Sequence, residues 1–331
     1  RTDGERIATM LSVSATMRKP IAVRPVNKMF AAYFSTTSAK LFKNVTILGG
    51  GLMGNGITQV TAAAGYNVTM VDVSQELLNK STANIEKTIL RGYKKAIESG
   101  KMDEASAKAK KDDIMSRIKG MVSAEEAAKD ADLVIEAVPE NIALKQKIFG
   151  SLDLVAPQHC VFASNTSSLK IVDIQATSKR ADRFAGVHFF NPVPVMKLLE
   201  VVRGPNTSED TFQKLVEYGQ KVGKTTVDCK DTPGFIVNRL LVPAIFEAIR
   251  LVERGDASKE DVDTAMKLGA GHPMGPLALA DMVGLDTCKN ILDGWHATYP
   301  DVELFQPSPL VNKLVSEGKL GKKSGEGFYK Y

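Results

Sequence analysis

From residue 43 onward the period of the apolar positions switches repeatedly. Short apolar runs at 45–48, 67–71, 132–138, 161–163, 184–189 and 198–202 are bounded by glycine, proline or small polar residues, and they predict buried strands. Between them apolar residues recur three and four apart. One such helix runs from the glycines near residue 50 to about Ala64 and is closed by Gly65; another starts near Asn141. The stretch 75–120 is long, charged and helical in pattern, with Gly100 dividing it into a hairpin. Strands alternating with helices over 41–229 predict an α/β domain on a doubly wound sheet, with the hairpin as an insertion. After "CKDTPGFIVNRLL" strand patterns stop. Helices are predicted at 238–254, 259–268, 276–283 and 285–295, with "GAGHPMGP" as a connector. Residues 230–331 therefore read as a second, all-helical domain, whose broad apolar faces suit either a self-contained core or a homodimer interface.

With 331 residues and 44% apolar content, the chain has material for two such cores. No run approaches the ~18 consecutive apolar residues of a membrane span. Cys160, Cys229 and Cys288 are scattered without CxxC spacing, which argues against a zinc site and a disulfide framework. The net charge of +5 is uneven: residues 1–35 hold six basic residues against two acidic ones, and no acid occurs between Glu5 and Asp72. That Arg-, Ser-, Thr- and Ala-rich segment has the composition of a mitochondrial presequence and is set apart from the fold. What remains is nearly neutral, so the basic pI gives no reason to expect a nucleic-acid partner.

The first chemical motif is "NVTILGGGLMGNGITQVTAAAGYNVTMVD". Gly49, Gly51 and Gly54 have the GxGxxG spacing, with a strand before, a helix after, a second strand, and Asp72 at that strand's end. Gly49 permits the tight turn, Gly51 removes the side chain that would block a pyrophosphate, and Gly54 lets helix and strand approach. The helix N-terminus, where Leu52 and Met53 stand, offers unpaired N–H groups to phosphates. Asp72 lies 23 residues after Gly49, near the spacing expected for a ribose 2′-hydroxyl, and its charge would repel a 2′-phosphate. The motif predicts a Rossmann-type domain that binds NAD rather than NADP.

Other candidates stand at later strand ends, where the ligand crevice of an open parallel sheet lies. Glu140 and Lys145 follow one strand, although a carboxylate at a helix entry is also a common structural feature. "SNTSS", with Asn165 and Ser167, follows the next, and can bond a ligand or cap a helix near Leu169. "VHFFNPVPVMKLLE" places His188 at the end of a third, with Glu200 brought back by a proline-rich loop. Taken alone, His188 is either a general base or a ring packed in a core. The hairpin segment from Lys80 to Lys119 holds eleven basic and six acidic residues, which is either a solvated face or a basic arm for an anionic ligand.

Taken together, "GGGLMG", "EAVPEN", "SNTSSL", "FAGVHFFNPVPVMKLLEVV", "DTPGFIVNRLL", "GHPMGP" and "GKKSGEGFYKY" closely resemble the mitochondrial short-chain L-3-hydroxyacyl-CoA dehydrogenases, over about residue 42 to the last residue. The resemblance implies a homodimeric, NAD-dependent enzyme of the mitochondrial matrix that oxidises L-3-hydroxyacyl-CoA to 3-oxoacyl-CoA in fatty-acid β-oxidation. It implies His188 as the base and Glu200 as its partner, with Ser167 touching substrate and cofactor and Asn238 holding the acyl carbonyl. By the same resemblance Asn191 lies near the nicotinamide, Glu140, Lys145 and Lys323 match cofactor contacts, and Thr88 and Lys95 match coenzyme A contacts. The family commonly has serine at the Thr88 position and often tyrosine at that of His272. Two rival readings remain at this level: an NAD-linked dehydrogenase of a small hydroxy acid without CoA, and an NAD-binding protein without turnover.

Overall fold

The computed structural model describes residues 42–331, so the predicted presequence lies outside the described residues. The sheet half begins with β1 (Asn44–Leu48), α1 (Leu52–Ala63) and β2 (Asn67–Val71). The hairpin α2 (Gln75–Glu98) and α3 (Glu104–Ser116) follows, turning at Gly100 with φ +70°. Next come β3 (Ile118–Met121), α4 (Ala124–Ala128), β4 (Leu133–Glu136), α5 (Ile142–Leu152), β5 (Val161–Ser164) and the one-turn α6 (Ile171–Ile174). The half closes with β6 (Phe184–Phe189), β7 (Leu198–Arg203), α7 (Glu209–Lys221) and β8 (Thr225–Lys230).

These strands form one eight-stranded sheet in the order β3-β2-β1-β4-β5-β6-β7-β8. The first six are mutually parallel; β6 and β7 pair antiparallel, and β7 and β8 are parallel to each other. Strand order reverses between β1 and β4, so a crevice opens beyond their carboxyl ends. The central strands are buried on both faces, as expected where helices cover both sides. Phe149 of α5 meets Phe162 and Phe184 of the sheet at ring-centroid distances of 5.4 and 4.6 Å and anchors that core.

Two strands and some boundaries depart from the sequence reading. Residues 118–121 are strand β3, not the tail of the hairpin, and β8 was not among the predicted strands. Both lie at the sheet's edges and carry polar, half-exposed residues ("IKGM", "TTVDCK"), so the apolar signal that reveals central strands is missing. The expected helix near Leu169 is only the single turn α6. Its first N–H groups, those of Ile171 and Val172, donate to Asp231 (2.8 Å each), while the Thr166 hydroxyl accepts the N–H groups of Ser168 (3.4 Å) and Leu169 (3.0 Å) ahead of it.

The helical half comprises α8 (Val237–Glu253), α9 (Lys259–Gly269), α10 (Pro276–Val283), α11 (Leu285–Thr298) and α12 (Pro309–Ser316). The sequence reading lacked α12, a helix of two turns. Phe246, Ile249, Leu277, Leu285, Leu292, Trp295 and Phe305 form a second core. Buried Asp281 accepts the N–H groups of Phe328 and Tyr329 (2.8 Å each) and ties the last residues onto α10. Among the described residues no helix is long and apolar enough to cross a membrane, and no group of His, Cys, Asp and Glu side chains is placed to hold a metal ion.

Candidate active site

The glycine loop joins β1 to α1, and each glycine has a visible reason. Gly49 has φ +100°, and a Cβ there would lie 2.6 Å from the Ala137 carbonyl oxygen. A Cβ at Gly54 would overlap the Gly49 carbonyl oxygen, so strand and helix can meet only across a glycine. At Gly51 a Cβ would meet nothing within 4 Å. Its bareness serves no packing within the chain and leaves the approach to the helix N-terminus clear, as a dinucleotide pyrophosphate requires. Asp72 accepts the Gly50 N–H (2.8 Å) and the Val73 N–H (2.7 Å). A cavity of about 780 Å³ lies beside it, lined by Gly49, Gly51, Leu52, Met53 and Asp72 with apolar walls from Val71, Val122, Val138 and Ile148. Size, an apolar wall and the Asp72 carboxylate suit an adenosine, so the residues present fit NAD.

Beyond the β4 end lies a buried charge network. Glu136, fully buried, accepts the Lys145 ammonium (2.6 Å), the Val138 N–H (2.7 Å) and the Ser164 hydroxyl (2.6 Å). Lys145, 1% exposed, also pairs with Glu140 (3.1 Å). Glu140 in turn accepts the Ser167 N–H (2.7 Å) and the Thr166 hydroxyl (2.8 Å). Burial alone would raise the Glu140 carboxyl, but the Lys145 charge and these hydrogen bonds outweigh it and hold it below the usual carboxylate range. Lys145 thus reaches the cavity through Glu140, and the network shapes the loop that carries Ser167. Sequence reasoning missed Glu136; the signal was an acid closing the apolar run "LVIE".

His188 and Glu200 are direct cross-strand partners on β6 and β7. His188 Nδ1 lies 2.6 Å from Glu200 Oε2. The other carboxylate oxygen accepts the N–H groups of Ile236 (3.1 Å) and Val237 (2.9 Å) at the start of α8. That helix has no side-chain cap of its own, so Glu200 satisfies its first donors and lies at the positive end of its dipole. The turn into α8 runs through Gly234 (φ +75°) and Phe235 (φ 54°), an uncommon conformation for a phenylalanine. It sets the Phe235 ring 5.5 Å from the His188 ring. Asn238, one residue into α8, donates to the Ser167 carbonyl oxygen (3.3 Å).

Of these residues His188 lines a cavity of about 300 Å³, together with Met53, Glu140, Asn165, Ser167 and Asn191, among others. Asn165 accepts the Phe189 N–H (2.9 Å) and so locks the β5 and β6 ends together. Lys224, which the sequence reading passed over, is buried and bonds the carbonyls of Val193 and Met196 (2.7 Å to the latter), holding the loop that carries Asn191.

Two predicted site residues, Lys323 and Thr88, stand apart from these cavities. Lys323 pairs with Asp286 (2.7 Å) and lines neither of these cavities. Thr88 and Lys95 both belong to α2. The Thr88 hydroxyl donates to the Asn84 carbonyl (2.9 Å). A cavity of about 840 Å³ on the hairpin is lined by Lys87, Arg91, Lys94, Lys108 and Lys111, among others.

A nucleotide groove running along strand ends toward a carboxylate-held histidine is the layout of an NAD-dependent dehydrogenase, and that is the class to which fold and site assign the chain. Family comparison makes the assignment particular. The family model "3-hydroxyacyl-CoA dehydrogenase, NAD binding domain" matches residues 44–232, and "3-hydroxyacyl-CoA dehydrogenase, C-terminal domain" matches residues 234–331. The chain belongs to the 3-hydroxyacyl-CoA dehydrogenase family. It is 56% identical over 293 residues to the mitochondrial hydroxyacyl-coenzyme A dehydrogenase of Rattus norvegicus, covering 88% of this chain and 92% of the relative. It is 57% identical over 298 residues to a probable 3-hydroxyacyl-CoA dehydrogenase of Caenorhabditis elegans, covering 89% and 96%. Among solved structures, the (S)-3-hydroxybutyryl-CoA dehydrogenase of Ralstonia eutropha superposes with a TM-score of 0.81 at 42% identity, covering 88% of this chain and 99% of that one.

Proposed function

We propose that the chain catalyses NAD-dependent oxidation of L-3-hydroxyacyl-CoA to 3-oxoacyl-CoA, with His188 as general base. The observation that carries the role of His188 is its 2.6 Å contact with buried Glu200 at the mouth of the nicotinamide-side cavity. With Nδ1–H donated to Glu200, Nε2 keeps its lone pair for the substrate 3-hydroxyl proton. Glu200, whose second oxygen is held by α8, then stabilises the imidazolium that forms. Bound NAD supplies the hydride acceptor, and Gly49, Gly51, Gly54 and Asp72 hold its adenosine and phosphate portion. Ser167 and Asn238, coupled through the Ser167 carbonyl, orient the acyl carbonyl. Thr88 and Lys95 receive coenzyme A on the hairpin, whose net positive charge suits its phosphates.

The two mitochondrial features reinforce each other: residues 1–35 act as the presequence, and the rat relative is named as mitochondrial. Matrix residence follows from the reaction's place in β-oxidation. We assign the division into a sheet domain, 41–229, and a helical domain, 230–331, to the two separate cores. The helical part pairs two chains, a role suited to exposed Leu240 and Leu268. The test uses residues 36–331 and follows NADH absorbance with acetoacetyl-CoA beside free acetoacetate. Oxidation with the thioester alone is expected; turnover of acetoacetate alone would transfer the enzyme to small hydroxy acids.

A further inference from the structure

His188 is 5% exposed, and two aromatic rings lie against it. Phe190, at a centroid distance of 4.5 Å, comes from the same strand end. Phe235, at 5.5 Å, comes from the turn that opens the helical half. The contact of Nδ1 with Glu200 fixes one point of the imidazole and leaves the ring free to swing about it. Among the described residues no second hydrogen bond holds that ring, so its orientation has to come from packing.

Phe235 alone among the described non-glycine residues has a positive φ, 54°. Glycine would adopt that conformation without strain, so the side chain stands there against the backbone's preference. The turn is held from several sides. The Phe235 N–H donates to the Thr232 carbonyl (3.0 Å), and the next two N–H groups reach Glu200. A Cβ on Gly234 would overlap the Trp295 ring, so the turn is also pressed against α11. The Phe235 ring, 4% exposed, joins the apolar core of the sheet half although it belongs to the start of α8. One turn thus offers donors to Glu200 through its backbone and a wall to His188 through its side chain. We propose that Phe235 is a positioning residue, whose ring fixes the imidazole plane while Glu200 holds Nδ1, leaving Nε2 toward the cavity that His188 lines. The effect on turnover rests on the dehydrogenase reading above; the placement of the imidazole is testable without turnover.

Three variants separate ring from backbone. Phe235→Ala removes the ring, Phe235→Gly removes it and relieves the turn, and Phe235→Leu keeps apolar bulk. Stopped flow with enzyme in excess follows NADH loss at saturating acetoacetyl-CoA. The alanine and glycine variants are expected to lower the rate constant roughly tenfold or more at full amplitude, with NADH affinity unchanged. Leucine should keep the rate within about threefold of wild type. A misfolded fraction lowers amplitude and not rate, so amplitude loss at a normal rate constant overturns the proposal. So does a normal rate in either ring-free variant, or a loss that more NADH restores. The second readout is the His188 tautomer, followed by proton–nitrogen NMR in protein with isotope-labelled histidine and assigned by its absence in His188→Gln. Wild type and Phe235→Leu should show one Nδ1–H form, and the ring-free variants a broadened mixture. A sharp, unchanged form in Phe235→Gly overturns the placement. Wild type that leaves acetoacetyl-CoA unreacted rejects the dehydrogenase reading, and the tautomer comparison then decides the placement alone.

Discussion

Glu136 and Glu200 are both fully buried carboxylates on the same sheet, and they are compensated in opposite ways. Glu136 closes β4 against the Lys145 ammonium, with Val138 N–H and the Ser164 hydroxyl filling its remaining lone pairs. Glu200 sits in mid-strand against His188 and two backbone N–H groups of α8. A buried carboxylate is expensive unless paired and hydrogen-bonded, so each needs its set of donors. The difference lies in the partner. At Glu136 the partner is an ammonium on α5, and the group ties the ends of β4, β5 and α5 together. At Glu200 the partner is an imidazole, and helix N–H groups hold the carboxylate beside it; in the proposed reaction that imidazole takes the substrate proton. One sheet thus carries an ammonium–carboxylate pair and, a few strands away, the imidazole–carboxylate pair of the proposed reaction.

The contrast can be broken by mutation. The largest effect is expected for His188→Gln, which should slow turnover by roughly 10²–10⁴-fold while NAD binding persists. Near-normal turnover of that variant would remove His188 from the mechanism. Glu200→Gln should act in the same direction by about 10²-fold, with a small change in melting temperature. Lys145→Met should do the reverse, stranding Glu136 and destabilising the protein by about 3–5 kcal/mol in denaturant titration. The double variant Glu136→Gln/Lys145→Met should recover part of that loss. Equal destabilisation by Glu200→Gln and Lys145→Met would erase the distinction.

Smaller effects sharpen the cofactor side. Gly51→Val meets no obstacle in the fold, so calorimetry should show near-normal stability while NAD affinity collapses; normal NAD binding would show that the loop does not face the pyrophosphate. Asp72→Ala removes a charged acceptor, worth about 1.5–3 kcal/mol, and should weaken NAD more than it slows the saturated reaction. Smallest is an acid-side effect. The Glu140 carboxyl is held below its ordinary range, so its stabilisation is fully present above the normal carboxylate range and is lost as pH falls through the lower folded value. Glu140→Gln should flatten that part of the stability–pH curve; an unchanged acid limb would show that the carboxylate is not engaged.

Legibility in the sequence followed burial. Central strands such as "VIE" and "FAGVHF" announce themselves because both faces are covered, and the glycine spacing announces the phosphate loop because only glycine fits its turn. The edge strands β3 and β8 did not, since an edge has one face and one side open to solvent. Asp231 and Lys224 were passed over because their partners, the α6 N-terminus and the loop after His188, lie 59 and 28 or more residues away along the chain.

What the chain determined by itself was local: element periods, the glycine cradle with Asp72 behind it, and the residue types a dehydrogenase needs at strand ends. Those follow from steric and solvation rules acting within a few residues. Tertiary structure alone decided that β7 runs back antiparallel to β6 in the register that sets Glu200 opposite His188. It also decided that α8 begins where it can hold the same carboxylate, and that Lys145 is enclosed by Glu136. Hydrogen bonds and charge pairs reach only a few ångströms, so which groups meet depends on packing the whole sheet, and no window of sequence contains that information.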